Sequence, residues 1–366
     1  MRVVFRADAS YDLGTGHVMR CLSLAKGLQD RGHRCSFVCR GTPGNLIEKI
    51  KIGGIEVAEI GGQRNYGQLD PASDPIGGSD SWPQKNWQID VWETSAVIEQ
   101  EIDWMVVDHY ALDARWERMV RPKCKRLMVI DDLNNRQHDC DLLLDQNWFG
   151  ESTSNRYNDK VPATCTLLRG PVYALLGPEY SELRETMSAR DGNVKNILVF
   201  LGGSDSTNET GKVIDAIREL RTQEELAVTV IIGQNHPCPQ ELYDRAKWCP
   251  SVILHNYVTS LATVMRDSDL MIGAGGATTW ERMCLGLPSI VISVADNQDE
   301  ANIALAKAGY ITFLGKHECV TTEDITATLE CALTNPVTLR EQSKRMSKLT
   351  GGVGVDLVGG YLEKLI

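Results

Sequence analysis

Short apolar runs alternate with helical patterns in two separate series, and this alternation constrains the fold more than any other feature. The first series has apolar runs at 2–7, 35–39, 104–108, 127–130 and 141–144. The second series has them at 197–201, 228–233, 252–254, 270–273 and 290–294. Strands that alternate with helices form parallel sheets covered by helices. We therefore predict an α/β protein with two Rossmann-like, doubly wound domains that face a cleft.

The length of the chain agrees with two domains. Its 366 residues exceed what one ordinary hydrophobic core holds, whereas two domains of common size account for them. We expect the first domain over 1–168 and the second over 169–338. The remaining residues, 339–366, are expected to form a C-terminal helix that packs back on the first domain.

The charge balance limits the partners of the protein. With 38 basic and 49 acidic residues, the formal net charge of −11 argues against duplex nucleic acid or an anionic membrane as a main partner. The first residues place Arg6 and Asp8 where a signal peptide needs an apolar core, and no segment reaches the length of a membrane span. We expect a cytoplasmic monomer that binds a small molecule.

The cysteines and the sequence motifs both indicate chemistry without a metal. The eleven cysteines are scattered, and they include no Cys-x-x-Cys pair and no Cys/His ligand spacing. We expect them to be reduced, with many of them acting as small core residues. The chain also has neither an HExxH motif nor a Walker A sequence. A reaction without metal or cofactor is the expectation.

The first candidate loop is Gly14-Thr15-Gly16-His17, which lies between the first strand and the first helix. Ligands of doubly wound sheets bind outside the carboxyl ends of the strands, so His17 is expected to face the cleft. A helix N-terminus disfavours a cationic imidazole, which suits His17 to the role of general base. A histidine that only caps or packs at a tight turn is an equally good interpretation at this stage.

Two further loops have the glycines that a phosphate cradle requires. Gly203 and Ser204 follow the strand at 197–201, but a glycine pair there is also a common turn. The loop at 273–281 is the stronger candidate for a diphosphate site, because it combines glycines that permit close backbone approach with hydroxyl donors. Its candidate residues are Gly275, Gly276, Thr278 and Thr279.

Three other positions have two interpretations each. Glu281 either closes a capping box with Thr278 or accepts hydrogen bonds from ribose hydroxyls. Tyr110 ends a strand of the first domain and is expected to orient a sugar, while its neighbour His109 competes with His17 as the base. Asn297 and Gln298 follow the strand at 290–294, where their amides suit a sugar, although an Asn helix cap is at least as good an interpretation.

The polar stretch at 61–88 follows neither the helix nor the strand period. We interpret it as an excursion on the surface. Its tryptophans, Trp82 and Trp87, fit anchors of a loop better than a cover over a ligand.

The combined motifs LGTGHVMRCLSLA, DHY, LRGPVYALL, LGGSD, GAGGATTWE and ADNQ resemble those of the UDP-2,4-diacetamido-2,4,6-trideoxy-β-L-altropyranose hydrolases of pseudaminic acid biosynthesis. Those enzymes are similar to the two-domain GT-B glycosyltransferases, especially the transferase that adds N-acetylglucosamine to the peptidoglycan lipid precursor. The resemblance implies a GT-B fold that holds UDP mainly in the second domain. It also implies that His17 is the proton acceptor and that Tyr110, Arg169, Glu281 and Asn297 bind the substrate. We expect Gly16 and Gln298, which lie beside His17 and Asn297, to bind the substrate as well.

The expected reaction is attack of water on the anomeric carbon with inversion, which yields UDP and the free sugar. A glycosyltransferase that uses a UDP-amino sugar as donor is one alternative, because it needs the same phosphate cradle and the same base. A UDP-sugar-binding protein without catalytic activity is the other, because a fold does not dictate a function.

Overall fold

The computed structural model describes residues 1–61, 86–220, 225–233, 235–256, 258 and 260–366. These residues form two compact units. The first unit consists of 1–147, 153–175 and 355–366, and the second consists of 148–152 and 176–354. The predicted boundary after residue 168 lies between the short second-unit segment 148–152 and residue 176, where the main part of the second unit begins. Most of the polar stretch at 61–88, including Trp82, lies outside the described residues.

The first unit is built on a parallel sheet whose described strands have the order β3-β2-β1-β4-β5-β6-β7. The order reverses between β1 and β4, and at this point Ala7 pairs with Asp108. Loops that leave these two strands therefore emerge side by side. The strands are β1 (Arg2–Ala7), β2 (Arg34–Arg40), β3 (Glu56–Ile60), β4 (Ile102–Asp108), β5 (Cys124–Ile130), β6 (Leu142–Asp145) and β7 (Thr166–Arg169).

The second unit repeats the arrangement with the order β10-β9-β8-β11-β12-β13 among its described strands, all of them parallel. Its reversal lies between β8 and β11, where Phe200 pairs with Gly273. The strands are β8 (Asn196–Phe200), β9 (Ala227–Ile231), β10 (Val252–His255), β11 (Leu270–Ala274), β12 (Ser289–Ser293) and β13 (Thr312–Lys316).

Helices connect the strands in both units. In chain order they are α1 (Gly16–Asp30), α2 (Ile47–Ile52), α3 (Trp87–Ala96), α4 (Ala114–Val120), α5 (Pro178–Thr186), α6 (Glu209–Glu219), α7 (Pro239–Ala246), α8 (Leu261–Asp267), α9 (Thr278–Cys284), α10 (Asp299–Lys307), α11 (Thr322–Thr334), α12 (Pro336–Met346) and α13 (Gly354–Lys364). The two Rossmann-like α/β domains expected from the sequence are thus confirmed.

The strands near the middle of each sheet are apolar because both of their faces are covered. In β1, Phe5 belongs to one buried cluster with residues of α1, while Val4 belongs to a cluster on the opposite face. Helix α1 buries the face that its period predicts, formed by Val18, Leu22, Ala25 and Leu28. The helix ends before Gly32, whose φ of +83° suits glycine.

The C-terminal segment, expected to be one helix over 339–366, contains the end of α12 and the whole of α13. Gly351 and Gly352 separate the two helices, and Gly352 has a φ of +79° that interrupts a helix. Helix α13 packs on the first unit, where Val358 and Leu362 are fully buried. The indole nitrogen of Trp104 donates to the carbonyl oxygen of Leu362 over 3.0 Å.

Candidate active site and nucleotide-binding loops

The imidazole of His17 is held by a carboxylate from the neighbouring strand. His17 is the second residue of α1, and Asp108 is the last residue of β4. The Nδ1 atom of His17 lies 2.5 Å from Oδ1 of Asp108, and both side chains are buried. A carboxylate accepts at this contact, so the network assigns the proton to Nδ1. Since no described residue bonds to Nε2, that nitrogen retains a lone pair for a substrate proton.

Arg20 fixes the carboxylate that holds His17. Its Nε and Nη2 atoms donate to the two oxygens of Asp108 over 2.6 and 2.7 Å, so the pair is bidentate. Burial alone disfavours ionised Asp108. The charge of Arg20, followed by that of His17, outweighs this effect and holds the pKa of Asp108 well below its usual range. Asp108 therefore remains an anion, which is the form that stabilises a protonated His17.

Tyr110 covers the imidazole edge to face. The ring centroids of His17 and Tyr110 lie 4.4 Å apart, and their planes make an angle of 82°. Burial, together with the nearby Asp132, raises the pKa of the Tyr110 phenol well above its usual value. The phenol therefore stays neutral beside the base. Asp132 also accepts a hydrogen bond from Nη1 of Arg20 over 3.1 Å.

His109 is not available as a second base. Its Nδ1 atom accepts the backbone N–H of Ala111 over 3.0 Å, which assigns the ring proton to Nε2. That nitrogen faces Oδ2 of Asp8 at 3.3 Å, and His109 is buried. Asp8 is in turn paired with the buried Arg6. Nδ1 of His109 is thus occupied by the backbone, while Nε2 faces the carboxylate of a buried ion pair.

The remaining first-unit candidates have different surroundings. Gly16 is the first residue of α1 and immediately precedes His17. Arg169 ends β7, and its Nη1 atom donates to the carbonyl of Arg156 and to the side chain of Asn158 over 2.8 and 2.7 Å. No described contact joins Arg169 to His17. Trp87 begins α3 and lies under the guanidinium of Arg115, so it packs within the unit.

The loop after β8 depends on glycines for close packing of backbone against backbone. Gly202 has a φ of +107°, and a Cβ atom on Gly233 would lie 2.3 Å from the carbonyl oxygen of Gly203. Asp205 accepts the backbone N–H groups of Glu209 and Thr210 and so holds the start of α6. Asp205 binds these backbone groups although Asn208 occupies the cap position of the helix. Ser204 is half-buried and precedes the cap.

The loop after β11 meets the segment after β12. A Cβ atom on Gly275 would lie 1.8 Å from Nδ2 of the buried Asn302, so this position has no room for a side chain. A Cβ atom on Gly276 would lie 3.4 Å from Nε2 of Gln298. The structure therefore brings Gly275, Gly276 and Gln298 together, as a single binding site requires.

The capping-box interpretation of Thr278 and Glu281 is wrong. Thr278 is the first residue of α9, the preceding Ala277 occupies the cap position, and no described side chain caps this helix end. The capping box in the described residues of this unit belongs instead to Thr321 and Asp324 at the start of α11. Thr279 is buried and accepts a hydrogen bond from Nη2 of Arg282 over 2.9 Å, whereas Thr278 is half-buried.

Glu281 has an acceptor that the described residues leave unused. Its Oε2 atom is buried and has no hydrogen-bond partner among them. Burial raises the pKa of Glu281 to about 7, while the hydroxyl of Tyr180 acts in the opposite direction. A buried carboxylate oxygen without a partner is costly, and a ligand hydroxyl would satisfy it.

Asn297 and Gln298 lie in a short 3-10 turn, Asp296–Gln298. Oε1 of Gln298 accepts the backbone N–H of Val294 over 3.1 Å. Gln298, not Asn297, occupies the cap position of α10, and no described side chain hydrogen bond caps this helix. The helix-cap interpretation of Asn297 is therefore wrong, and its side chain is exposed.

Sequence reasoning missed Asp108 and Arg20 as functional residues. Both were visible in the motifs: Asp108 opens DHY, and Arg20 closes Gly-x-Gly-His-x-x-Arg. Their pairing became evident only through the β1–β4 register. Among the described residues, no group of His, Cys, Asp or Glu side chains is suited to a metal ion. Within the same residues, every helix is too short or too polar to cross a membrane.

Comparison with protein families relates the second unit to nucleotide-sugar enzymes. Residues 197–352 match the Glycosyltransferase family 28 C-terminal domain. A UDP-2,4-diacetamido-2,4,6-trideoxy-β-L-altropyranose hydrolase of Campylobacter jejuni is 23% identical over 311 residues, which cover 85% of this chain and 98% of that protein. The spore coat polysaccharide biosynthesis protein SpsG of Bacillus subtilis is 21% identical over 374 residues, which cover 100% of this chain and 98% of that protein.

A third relative is longer than this chain. An uncharacterized protein of Methanocaldococcus jannaschii is 24% identical over 306 residues, which cover 82% of this chain but 57% of that protein.

Solved structures place the fold in the GT-B class. MurG of Acinetobacter baumannii superposes with a TM-score of 0.64 at 16% identity, covering 99% of both chains. The structure of LpCGTa in complex with UDP superposes with a TM-score of 0.65 at 9% identity, again covering 99% of both chains. The GT-B-like fold with two domains of parallel strands, expected from the sequence, is thereby confirmed.

Proposed function

We propose that this chain is a nucleotide-sugar hydrolase. It cleaves UDP-2,4-diacetamido-2,4,6-trideoxy-β-L-altropyranose into UDP and the free sugar, with inversion, as a step of pseudaminic acid biosynthesis. The observation that carries the proposal is the His17–Asp108 pair, which leaves Nε2 of His17 ready to accept a proton. The similarity to the Campylobacter jejuni hydrolase over nearly its whole length supports the substrate.

In the proposed reaction, Nε2 of His17 removes a proton from a water molecule as the water oxygen attacks the anomeric carbon. The bond from that carbon to the phosphate oxygen breaks, and its electron pair leaves with UDP. Attack from the face opposite the leaving group inverts the configuration. The anionic Asp108 stabilises the imidazolium that forms, because it bonds to Nδ1 throughout.

The second unit is proposed to bind the nucleotide. The diphosphate contacts Gly203, Ser204, Gly275, Gly276 and Thr278, while the inward-facing Thr279 supports the loop from behind. Glu281 accepts a ribose hydroxyl at its unpartnered oxygen. The sugar contacts Gly16, Tyr110, Arg169, Asn297 and Gln298. We propose that the enzyme works as a cytoplasmic monomer without a cofactor.

A glycosyltransferase is the second candidate, favoured by the match of 197–352 to the family 28 domain. The same base and the same nucleotide loops would then activate an acceptor hydroxyl in place of water. Dependence on an acceptor separates the two functions, since a hydrolase releases UDP at its full rate in buffer alone.

The experiment is anomeric-proton NMR of the purified protein with the UDP-linked sugar, without added metal or acceptor. The hydrolase proposal predicts catalytic release of UDP and initial appearance of the inverted free sugar. Release that begins only after an acceptor is added would assign the transferase function. Binding of one equivalent of the UDP-sugar without turnover would assign a binding protein.

A further inference from the structure

Arg282 lies completely buried behind the candidate diphosphate loop. Its Nη1 atom donates to the carbonyl oxygen of Ala274 over 2.9 Å, and its Nη2 atom donates to Oγ1 of Thr279 over 2.9 Å. These two partners lie immediately before and after residues 275–278. A Cβ atom on Gly273 would lie 3.5 Å from Nη1. The guanidinium therefore holds both ends of the loop whose backbone is the candidate phosphate cradle.

The charge of Arg282 is poorly compensated in the free protein. No described carboxylate comes within ion-pair distance of it, and its Nε atom has no hydrogen-bond partner among the described residues. Burial lowers the pKa of the guanidinium to about 10, although the charge of Glu281 acts in the opposite direction. Arg282 therefore remains a cation at neutral pH. Buried charges are normally paired, and an unpaired one destabilises the fold. An anion at the loop would provide the missing counter-charge.

We propose that Arg282 is a positioning residue that stabilises the nucleotide diphosphate through the loop it holds. This inference rests on the proposed function, since it takes the ligand to be a nucleoside diphosphate. Arg282 acts by keeping the loop amides in place and by supplying a positive charge behind them. Such a charge is effective because protein surrounds it and solvent screens it little.

The test compares UDP with uridine, which lacks the diphosphate, in the intact protein and in two variants. Arg282→Met removes the charge, and Arg282→Lys retains it. We expect Arg282→Met to weaken UDP binding by roughly ten- to hundredfold and to leave uridine binding unchanged. Arg282→Lys should restore part of the UDP affinity. Calorimetry with UDP and an NMR titration with uridine give the two dissociation constants.

Arg190 provides a matched control. It belongs to the same unit, burial lowers its pKa to about 10, and its donors also contact backbone carbonyls, including those of Met265 and Leu285. It does not contact the described residues of the loop at 275–279. Arg190→Met should lower the melting temperature without changing the ratio of the UDP and uridine dissociation constants.

A purely structural Arg282 gives a different result. Arg282→Met would then weaken UDP and uridine equally, or would lower the melting temperature while the increase caused by UDP stayed intact. Either outcome overturns the inference and leaves the proposed function standing. If the unmodified protein binds neither UDP nor uridine, the proposed nucleotide site itself is wrong, and the inference falls with it. If Arg282→Met does not fold, Arg282→Gln, which also lacks the charge, takes its place, and an unchanged ratio of the UDP and uridine dissociation constants in that variant overturns the inference.

Discussion

The Nδ1 atom of His17, at the start of the helix that follows β1, lies 2.5 Å from Oδ1 of Asp108, the last residue of the neighbouring strand β4. This contact holds the imidazole proton on Nδ1, so the free lone pair of the ring lies on Nε2. The bidentate contact from Arg20 fixes the carboxylate in turn. The base is therefore oriented before any substrate binds, and no proton rearrangement is needed for it to act.

His17→Asn should lower kcat by about 10²–10⁴-fold, because general base catalysis typically contributes that much. UDP binding should stay within about threefold of the unmodified protein, since the proposed nucleotide loops lie in the second unit. Steady-state release of UDP and calorimetry with UDP measure the two effects. His33→Asn, which changes a histidine paired with Glu363, is the control and should retain full activity. Full activity in His17→Asn would remove this residue from the mechanism.

Asp108→Asn should also lower kcat by about 10²–10⁴-fold while the protein still folds. The new amide can donate to Nδ1, which favours the tautomer with its proton on Nε2, where no substrate proton can then be accepted. Asp103→Asn is the matched control, because Asp103 lies near the other end of β4 and bonds to the backbone of Arg2. The tautomer can be read from the nitrogen chemical shifts of His17, so an unchanged Nδ1–H signal in Asp108→Asn would contradict the prediction.

The affinity for ribose should depend on pH through Glu281. Because burial raises the pKa of this group to about 7 in the free protein, its carboxylate forms as the pH rises through neutrality. The preference for UDP over its 2′-deoxy or 3′-deoxy analogue should therefore increase between about pH 6 and about pH 8. Comparing ligands with the same diphosphate cancels the titration of the phosphate. In Glu281→Gln the preference for UDP over the deoxy analogue should be small and independent of pH across this range. A preference that still increases with pH in this variant would be due to another titrating group.

Gly275→Ala should weaken nucleotide binding at the loop after β11. The added methyl group would lie 1.8 Å from Nδ2 of Asn302, which is fully buried and bonded to Ser293. We expect UDP affinity to fall by roughly tenfold or more as the loop moves away. The double variant with Asn302→Ala restores the space and should recover a large part of the affinity. A failure of this rescue would show that the clash with Asn302 is not the cause.

Stability should fall in alkaline solution because of His138. Burial disfavours its protonated form, but the interactions with the carboxylates of Asp131 and Glu117 outweigh this effect and raise its pKa to about 9. The imidazolium contribution is complete below the unfolded pKa of about 6.5 and is lost as the pH rises through about 9. The free energy of unfolding should decrease by roughly 3 kcal/mol at most across that window. Urea denaturation at several pH values measures it, and His138→Gln should lack this component of the slope.

Most of the fold was predictable because its central strands are continuous apolar runs with a helix after each. β1, β4, β8 and β11 were located within one or two residues. The strands missed were β3, β7 and β13, which form edges of the two sheets. An edge strand is covered less completely, so its composition is mixed, and Glu56–Ile60 carries two glutamates.

A site residue was predictable where its type and its position after a strand restrict its role. It was not predictable where its role depends on a contact between two elements that are distant in sequence. His17 and Gly275 followed from their position after apolar strands. The partnership of Asp108 with Arg20 required the strand order, which a single sequence does not reveal. Thr278 and Glu281 had the spacing of a capping box, yet α9 begins at Thr278 itself, one residue too early for Thr278 to occupy the cap position. The side chain of Arg282 had no distinguishing local pattern, because its partners are a backbone carbonyl and a buried hydroxyl.

Helix α13 belongs to the first unit although it follows the second unit in sequence. The core of the first unit can therefore be completed only after the second unit has been synthesised. The first unit lacks Val358 and Leu362 until α13 has been synthesised, and until then the indole nitrogen of Trp104 lacks its acceptor. The second unit, in contrast, has all of its residues once Gly354 has emerged. A nascent chain that stops there has every residue of the second unit, whereas the apolar core of its first unit still lacks the residues that α13 supplies.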